Sequence, residues 1–191
     1  HAGHPVEDLA GYRDGDQLVL SMLPETKTGT PWALRDYQTD AIDAFYGDGV
    51  VHGGSGVIVL PCGAGKTMVG IGVMSKLSMR TLILCTNITA LRQWKSEILE
   101  RTTITEDEIG EYSGEKKEIR PVTIATYQVI TRRTKGEYRH LELFDSRDWG
   151  LIIYDEVHLL PAPVFRMTAD LQSRRRLGLT ATLIREDGRE G

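Results

Sequence analysis

Apolar residues gather in short unbroken runs at 57–60, 81–85, 122–127, 151–154 and 177–179, and helical spacing follows most of them. An aliphatic, β-branched run without polar alternation is the pattern of a strand covered on both faces, so each of these runs is read as a buried strand. Before the first strand, residues 34–45 place Tyr37, Ala41, Ile42, Ala44 and Phe45 along one side of a helix. Residues 68–77 form the helix after the first strand. The second strand is followed by a helix with apolar positions Leu91, Trp94, Ile98 and Leu99, and another helix runs through 164–171 ahead of the last strand. Residues 102–118 are acidic and polar apart from Ile109, and the Tyr112-Ser113-Gly114 turn marks them as an exposed excursion. The basic stretch 131–140 is read as a solvated loop in preference to a nucleic-acid contact.

Strands alternating with helices predict an α/β domain with a parallel sheet and helices on both faces. Right-handed crossovers follow from strand twist. In such sheets ligands collect beyond the carboxyl ends of the strands. The polar clusters of this chain fall at those ends: 63–67, Thr86 with Asn87, Thr126 with Tyr127, 155–158, and 180–182. Their shared position predicts one site.

The first cluster carries the clearest chemistry. Between a strand and a helix lie Pro61, Cys62, Gly63, Ala64 and Gly65, followed by Lys66 and Thr67. Glycines let the backbone turn tightly and aim its N–H groups inward, and the helix start adds its positive end. The loop is therefore a candidate phosphate cradle, with Lys66 reaching the β and γ phosphates and the Thr67 hydroxyl on Mg²⁺. The usual pattern has glycine at position 60, where this chain has Leu60. Asp155 and Glu156 stand together at the mouth of the fourth strand, in the sequence DEVH. An aspartate there can hold the Mg²⁺ that bridges the phosphates, and the adjacent glutamate can orient and deprotonate a water, which favours hydrolysis over transfer. Arg35 and Gln38, taken alone, read as a capped helix start.

Composition limits the partners. The 191 residues have a formal charge of −4, so there is no overall electrostatic footprint for nucleic acid and any such contact must be local. No stretch is apolar enough to span a membrane, and a soluble, intracellular protein is expected. Cys62 and Cys85 lack metal-ligand spacing and are read as reduced core residues. The opening HAGH reads as a cloning remnant, and residues 1–31, with one apolar stretch and the linker-like PETKTGTP, as the tail of a preceding domain.

PCGAGKT, DEVH and LTAT, in this order, resemble the first RecA-like domain of superfamily 2 helicases of the DExH type. The wider set, LRDYQ, VLPCGAGKT, RQWK, TYQ, WGLIIYDEVHLLPA and GLTATLIRED, resembles the XPB (xeroderma pigmentosum group B) DNA helicases over residues 32–187. This likeness implies a P-loop ATPase using ATP and Mg²⁺, with a truncated end at 188–191. It implies that Arg35 and Gln38 read adenine, and that His158, Thr180 and Thr182 couple nucleotide state to the nucleic-acid track. Thr86, Arg92, Thr126 and Tyr127 match positions on the DNA backbone, through hydroxyls, backbone amides and a guanidinium, and Arg185, Glu186 and Asp187 match a motif linked to strand separation. A second RecA-like domain, which supplies arginines to the γ phosphate, is implied as a partner from outside these residues. Without it the chain is expected to bind nucleotide weakly and hydrolyse it poorly. DNA is the implied substrate, and a repair nuclease or a transcription-repair assembly the implied companion, in a prokaryotic cytoplasm or, in a eukaryote, the nucleus. An RNA helicase, a P-loop phosphotransferase and a degenerate interaction module are the alternatives.

Overall fold

A computed structural model of the chain describes residues 15–47, 54–134, 137–138, 140, 142–145, 148–169 and 175–181. Its elements in order are α1 (Asp36–Tyr46), β1 (Ser55–Val59), α2 (Lys66–Leu77), β2 (Thr81–Cys85), α3 (Ile88–Arg101), β3 (Ile109–Tyr112), β4 (Val122–Thr126) and α4 (Tyr127–Thr131). They continue with β5 (Arg133–Thr134), β6 (Glu137–Tyr138), α5 (Glu142–Asp145), β7 (Leu151–Asp155), α6 (Ala162–Ala169) and β8 (Arg175–Thr180). Six strands form one parallel sheet in the order β1-β8-β7-β2-β4-β3, while β5 and β6 make a separate antiparallel pair. The expected α/β architecture with a parallel sheet is what forms.

Strand geometry divides the core in two. Successive side chains point to opposite faces. On one face Ile83, Ile153, Leu177 and Leu179 pack with Ile42 of α1, Val69 and Ile71 of α2, and Trp94 and Ile98 of α3. On the other, Leu82, Leu84, Ile152 and Tyr154 pack with Tyr127 and Val129 of α4, Leu143 and Phe144 of α5, and Val164 of α6. Both faces are covered, as the unbroken apolar runs require. No described helix is long and apolar enough to cross a membrane.

Several expectations are corrected. β1 reads as a strand buried on both faces, yet it is an edge strand with Val57 52% and Val59 39% exposed. A β-branched run has the same pattern in a central strand and an edge strand, so position in the sheet is set by the topology alone. The region read as an exposed excursion contains the opposite edge: β3 pairs in parallel with β4, and Ile109 and Tyr112 are buried. Its acidic flanks conceal it, because Glu111 lies in the strand and is neutralised by Lys95 at 3.0 Å. On α1 the buried face is Gln38, Ile42 and Phe45, while Tyr37 faces out. Of the cysteines, Cys85 is buried as expected but Cys62 is exposed.

The linker-like stretch is held against this same core. Leu18 and Leu20 are buried, Leu18 N–H donates to the Ser78 carbonyl at 2.9 Å, and Thr103 N–H donates to the Ser21 carbonyl at 3.0 Å. Farther along, the Thr28 N–H and hydroxyl both donate to Glu100 Oε1, at 3.0 and 2.6 Å.

Candidate active site

The loop between β1 and α2 gets its shape from two glycines and one glutamine. Gly63 and Gly65 have φ of +78° and +79°, in the left-handed region that other residues enter at a cost. A Cβ on Gly65 would also meet Gln38 Nε2 at 2.5 Å, whereas the space beside Gly63 is open within 4 Å. Gln38 Nε2 donates to the Ala64 carbonyl at 2.8 Å, and the Tyr37 hydroxyl donates to the same oxygen at 2.8 Å. Gln38 in turn accepts the Arg35 backbone N–H at 2.9 Å, so the start of α1 is capped and tied to the loop by one side chain. The helix-cap reading of Arg35 and Gln38 is what forms, and the amide that makes the cap also clamps the loop. A pocket lined by Trp32, Arg35, Gln38, Gly65, Met68 and Arg101 opens beside it. Its polar and aromatic walls suit a flat heterocycle at the edge of the phosphate loop.

Gly65 caps α2, and the first bond within that helix runs from Val69 N–H to the Gly65 carbonyl at 3.2 Å. The amides of Lys66, Thr67 and Met68 therefore have no intrahelical acceptor and face the loop side with the positive end of the helix dipole. Thr67 is the second residue of α2, one position beyond Lys66.

The ends of β7 and β8 bring the carboxylates to this lysine. Lys66 Nζ lies 3.0 Å from Glu156 Oε1, and His158 Nδ1 lies 3.4 Å from Glu156 Oε2 and 2.8 Å from Thr180 Oγ1. Lys66, Glu156, His158 and Thr180 therefore form one chain of contacts across α2, β7 and β8. Glu156 holds a left-handed backbone, φ +50° and ψ +56°, which turns its side chain back over the strand end. For a residue with a Cβ that conformation costs on the order of 1 kcal/mol and is the kind of strain found at functional sites.

Asp155 is fixed from the protein interior. Trp94 Nε1–H donates to its Oδ2 at 2.9 Å, and the Tyr127 hydroxyl donates to its backbone carbonyl at 2.8 Å. Burial pushes the Asp155 carboxyl above the usual aspartate range; the Trp94 hydrogen bond opposes this, the Glu156 charge adds to it, and Lys66 pulls it down. A cation would restore the charged form. The donor set fits hydrated Mg²⁺: a hydroxyl from Thr67, a carboxylate from Asp155, and open space over Gly63 for phosphate oxygens. Among the described residues no group of three or more His, Cys, Asp or Glu could hold a metal by itself.

The candidate nucleic-acid residues are distributed unevenly. Thr86 and exposed Arg92 lie at the start of α3, whose N-cap Asn87 accepts the Ala90 N–H at 2.9 Å, and Arg92 is 3.8 Å from Glu115. Thr126 and Tyr127 are buried, with the Tyr127 hydroxyl turned inward to Asp155, so their outward contact is limited to backbone. Thr182, Arg185, Glu186 and Asp187 lie outside the described residues. Sequence reasoning placed Tyr37 and Trp94 only as packing residues, because apolar spacing is silent about a polar tip; each proves to hold a site backbone or carboxylate in place.

Comparison with known proteins bears on the family and the fold. A family model described as type III restriction enzyme, res subunit, matches residues 32–185. The chain is 71% identical over 189 residues to a DNA 3'-5' helicase XPB of Mycobacterium tuberculosis, covering 99% of this chain and 33% of that protein. It is 36% identical to the general transcription and DNA repair factor IIH helicase/translocase subunit XPB of Encephalitozoon cuniculi, covering 96% of this chain and 28% of that one. The crystal structure of the UvsW helicase from bacteriophage T4 superposes with a TM-score of 0.63 at 19% identity, over 86% of this chain and 58% of UvsW, a likeness of fold. The resemblance to XPB-type helicases thus extends over nearly the whole chain, which spans about a third of the length of these curated relatives.

Proposed function

This chain belongs to the family described as the res subunit of type III restriction enzymes, and on that premise we propose that it is the ATP-binding RecA-like unit of an XPB-type DNA helicase or translocase. The observation that carries the proposal is the contact chain Lys66–Glu156–His158–Thr180 beside the buried Asp155. It joins a candidate phosphate lysine, a candidate water-activating carboxylate and a strand-end hydroxyl at one place.

In this mechanism the loop amides and the α2 N-terminus bind the β and γ phosphates, and Lys66 leaves Glu156 to pair with the γ phosphate. Thr67 and Asp155 would hold Mg²⁺ brought in with the nucleotide, and the cation would offset phosphate charge. Once released by Lys66, Glu156 orients a water and takes its proton, while His158 keeps the other carboxylate oxygen in register with Thr180. Arg35 and Gln38 line the base pocket. Movement of Thr180 reports nucleotide state along the carboxyl edge of the sheet to the side of β2, where Thr86 and Arg92 meet the backbone of DNA.

The proposal assigns the RecA-like unit to residues 32–187 and takes 15–31 as a strap over it. It places a second RecA-like domain across the site in the whole protein; arginines from such a domain accelerate phosphoryl transfer by about a thousandfold or more. The setting we assign is DNA repair or transcription in a prokaryotic cytoplasm. The test is ATP hydrolysis by the longer protein that contains this chain, with and without DNA or RNA, beside Glu156→Gln. DNA stimulation, with a loss of at least about a hundredfold in the variant, is expected from removal of a general base. Stimulation by RNA alone, or a variant as active as the parent, would overturn the assignment.

A further inference from the structure

Trp94 is 1% exposed and its position in α3 is accounted for by packing, yet a leucine or phenylalanine would fill a core without introducing an N–H that needs a partner. Trp149 meets that need with a backbone carbonyl, donating to Leu143 at 2.9 Å. Trp94 instead donates to Oδ2 of Asp155, 61 residues away. The opposite edge of the ring is confined as tightly. A Cβ at Gly70 of α2 would meet Trp94 Cη2 at 2.5 Å and Cζ3 at 3.1 Å, so the six-membered ring lies directly on the backbone of the phosphate-loop helix. One rigid side chain therefore touches α2 with one end and the β7 carboxylate with the other.

We propose that Trp94 is the positioning residue for the cation-binding carboxylate: its indole N–H fixes one oxygen of Asp155, leaving the other for the hydrated cation. The inference rests on the nucleotide-binding reading above. A carboxylate turns freely about its last torsion, whose preference is broad, so a directional donor decides the plane in which the oxygens lie. Outer partners of this kind typically change metal affinity or activity ten- to a hundredfold when removed. The same helix begins beside Thr86, carries Arg92 and ends at Arg101 in the base pocket, so a shift of α3 would be felt at Asp155 through this ring.

The experiment measures ADP affinity of the chain with Mg²⁺ and with EDTA, for the parent and Trp94→Phe. It is read beside the indole N–H signals of ¹⁵N-tryptophan protein, in which the chain's three tryptophans give three signals. Trp94→Phe should bind ADP in EDTA as the parent does, while the gain in affinity from Mg²⁺ falls about tenfold. The Trp94 signal should move on addition of Mg²⁺ to the ADP complex and on Asp155→Ala, while that of Trp149 stays in place. An unchanged Mg²⁺ gain, or equal losses with and without Mg²⁺, would reduce Trp94 to packing and overturn the proposal. If Trp94→Phe does not fold, the signals decide, and a Trp94 resonance indifferent to both Mg²⁺·ADP and Asp155→Ala overturns it. Failure of the parent to bind ADP under either condition would instead refute the nucleotide site itself.

Discussion

Glu156 shows how little of a site's chemistry is independent of backbone. Its backbone is left-handed, and its two carboxylate oxygens engage Lys66 and His158, so the side chain is held from both sides. The two cysteines make the contrast between site and core measurable. Cys85 is buried, and burial together with the Asp155 charge pushes its thiol up to about 12. Cys62 is exposed in the phosphate loop. Since only the thiolate is nucleophilic, a thiol reagent at pH 8 should titrate one cysteine in the native chain and two after denaturation, and Mg²⁺·ADP should slow the fast one. Two fast thiols in the native chain would contradict the buried placement of Cys85.

At the scale of elements, β3 owes its place to a charge pair. Partial burial opposes ionisation of Glu111, but Lys95 and then Lys116 outweigh it and hold the carboxyl below the usual glutamate range, joining β3 to α3. A carboxyl held low in the folded state adds stability above its unfolded value, near pH 4.3, and that contribution disappears as pH falls through the folded value. Glu111→Gln should therefore lower stability by about 1 kcal/mol at pH 7, the scale of one charge-assisted hydrogen bond. The gap to the parent should close as pH falls through the folded value. Thermal unfolding at pH 7 and through the acid range checks this, and a gap of constant size would place the effect in packing. The same pair explains why β3 was hidden in the sequence: Ile109 and Tyr112 are interrupted by a glycine and by Glu111, whose charge is answered from a helix sixteen positions away, so the apolar run is too short to read. β1 was legible as a strand for the opposite reason, since Val57, Ile58 and Val59 are β-branched, but no local pattern distinguishes an edge from an interior. On α1, Tyr37 was assigned to the wrong side because its ring scores as apolar while its hydroxyl has work at the Ala64 carbonyl.

For the whole molecule, the gathering of the polar clusters was legible before the strand order was. A parallel sheet places every carboxyl end on one side, so Gly63, Lys66, Thr86, Asp155 and Thr180 converge there under any permutation of the strands. The order β1-β8-β7-β2-β4-β3 decides something finer: β8 and β7 stand next to β1, which brings His158, Thr180 and Glu156 within reach of Lys66, while Thr86 and Thr126 lie on the side of β2 and β4. The nucleotide and nucleic-acid candidates are thereby separated along one edge of the same sheet. If this edge binds a nucleotide through Lys66, titrating the chain with a fluorescent ADP analogue in Mg²⁺, beside Lys66→Ala, should give saturable binding that weakens at least about tenfold in the variant, as loss of a charge-assisted contact requires. Equal binding by both proteins, or none by the parent, would contradict it.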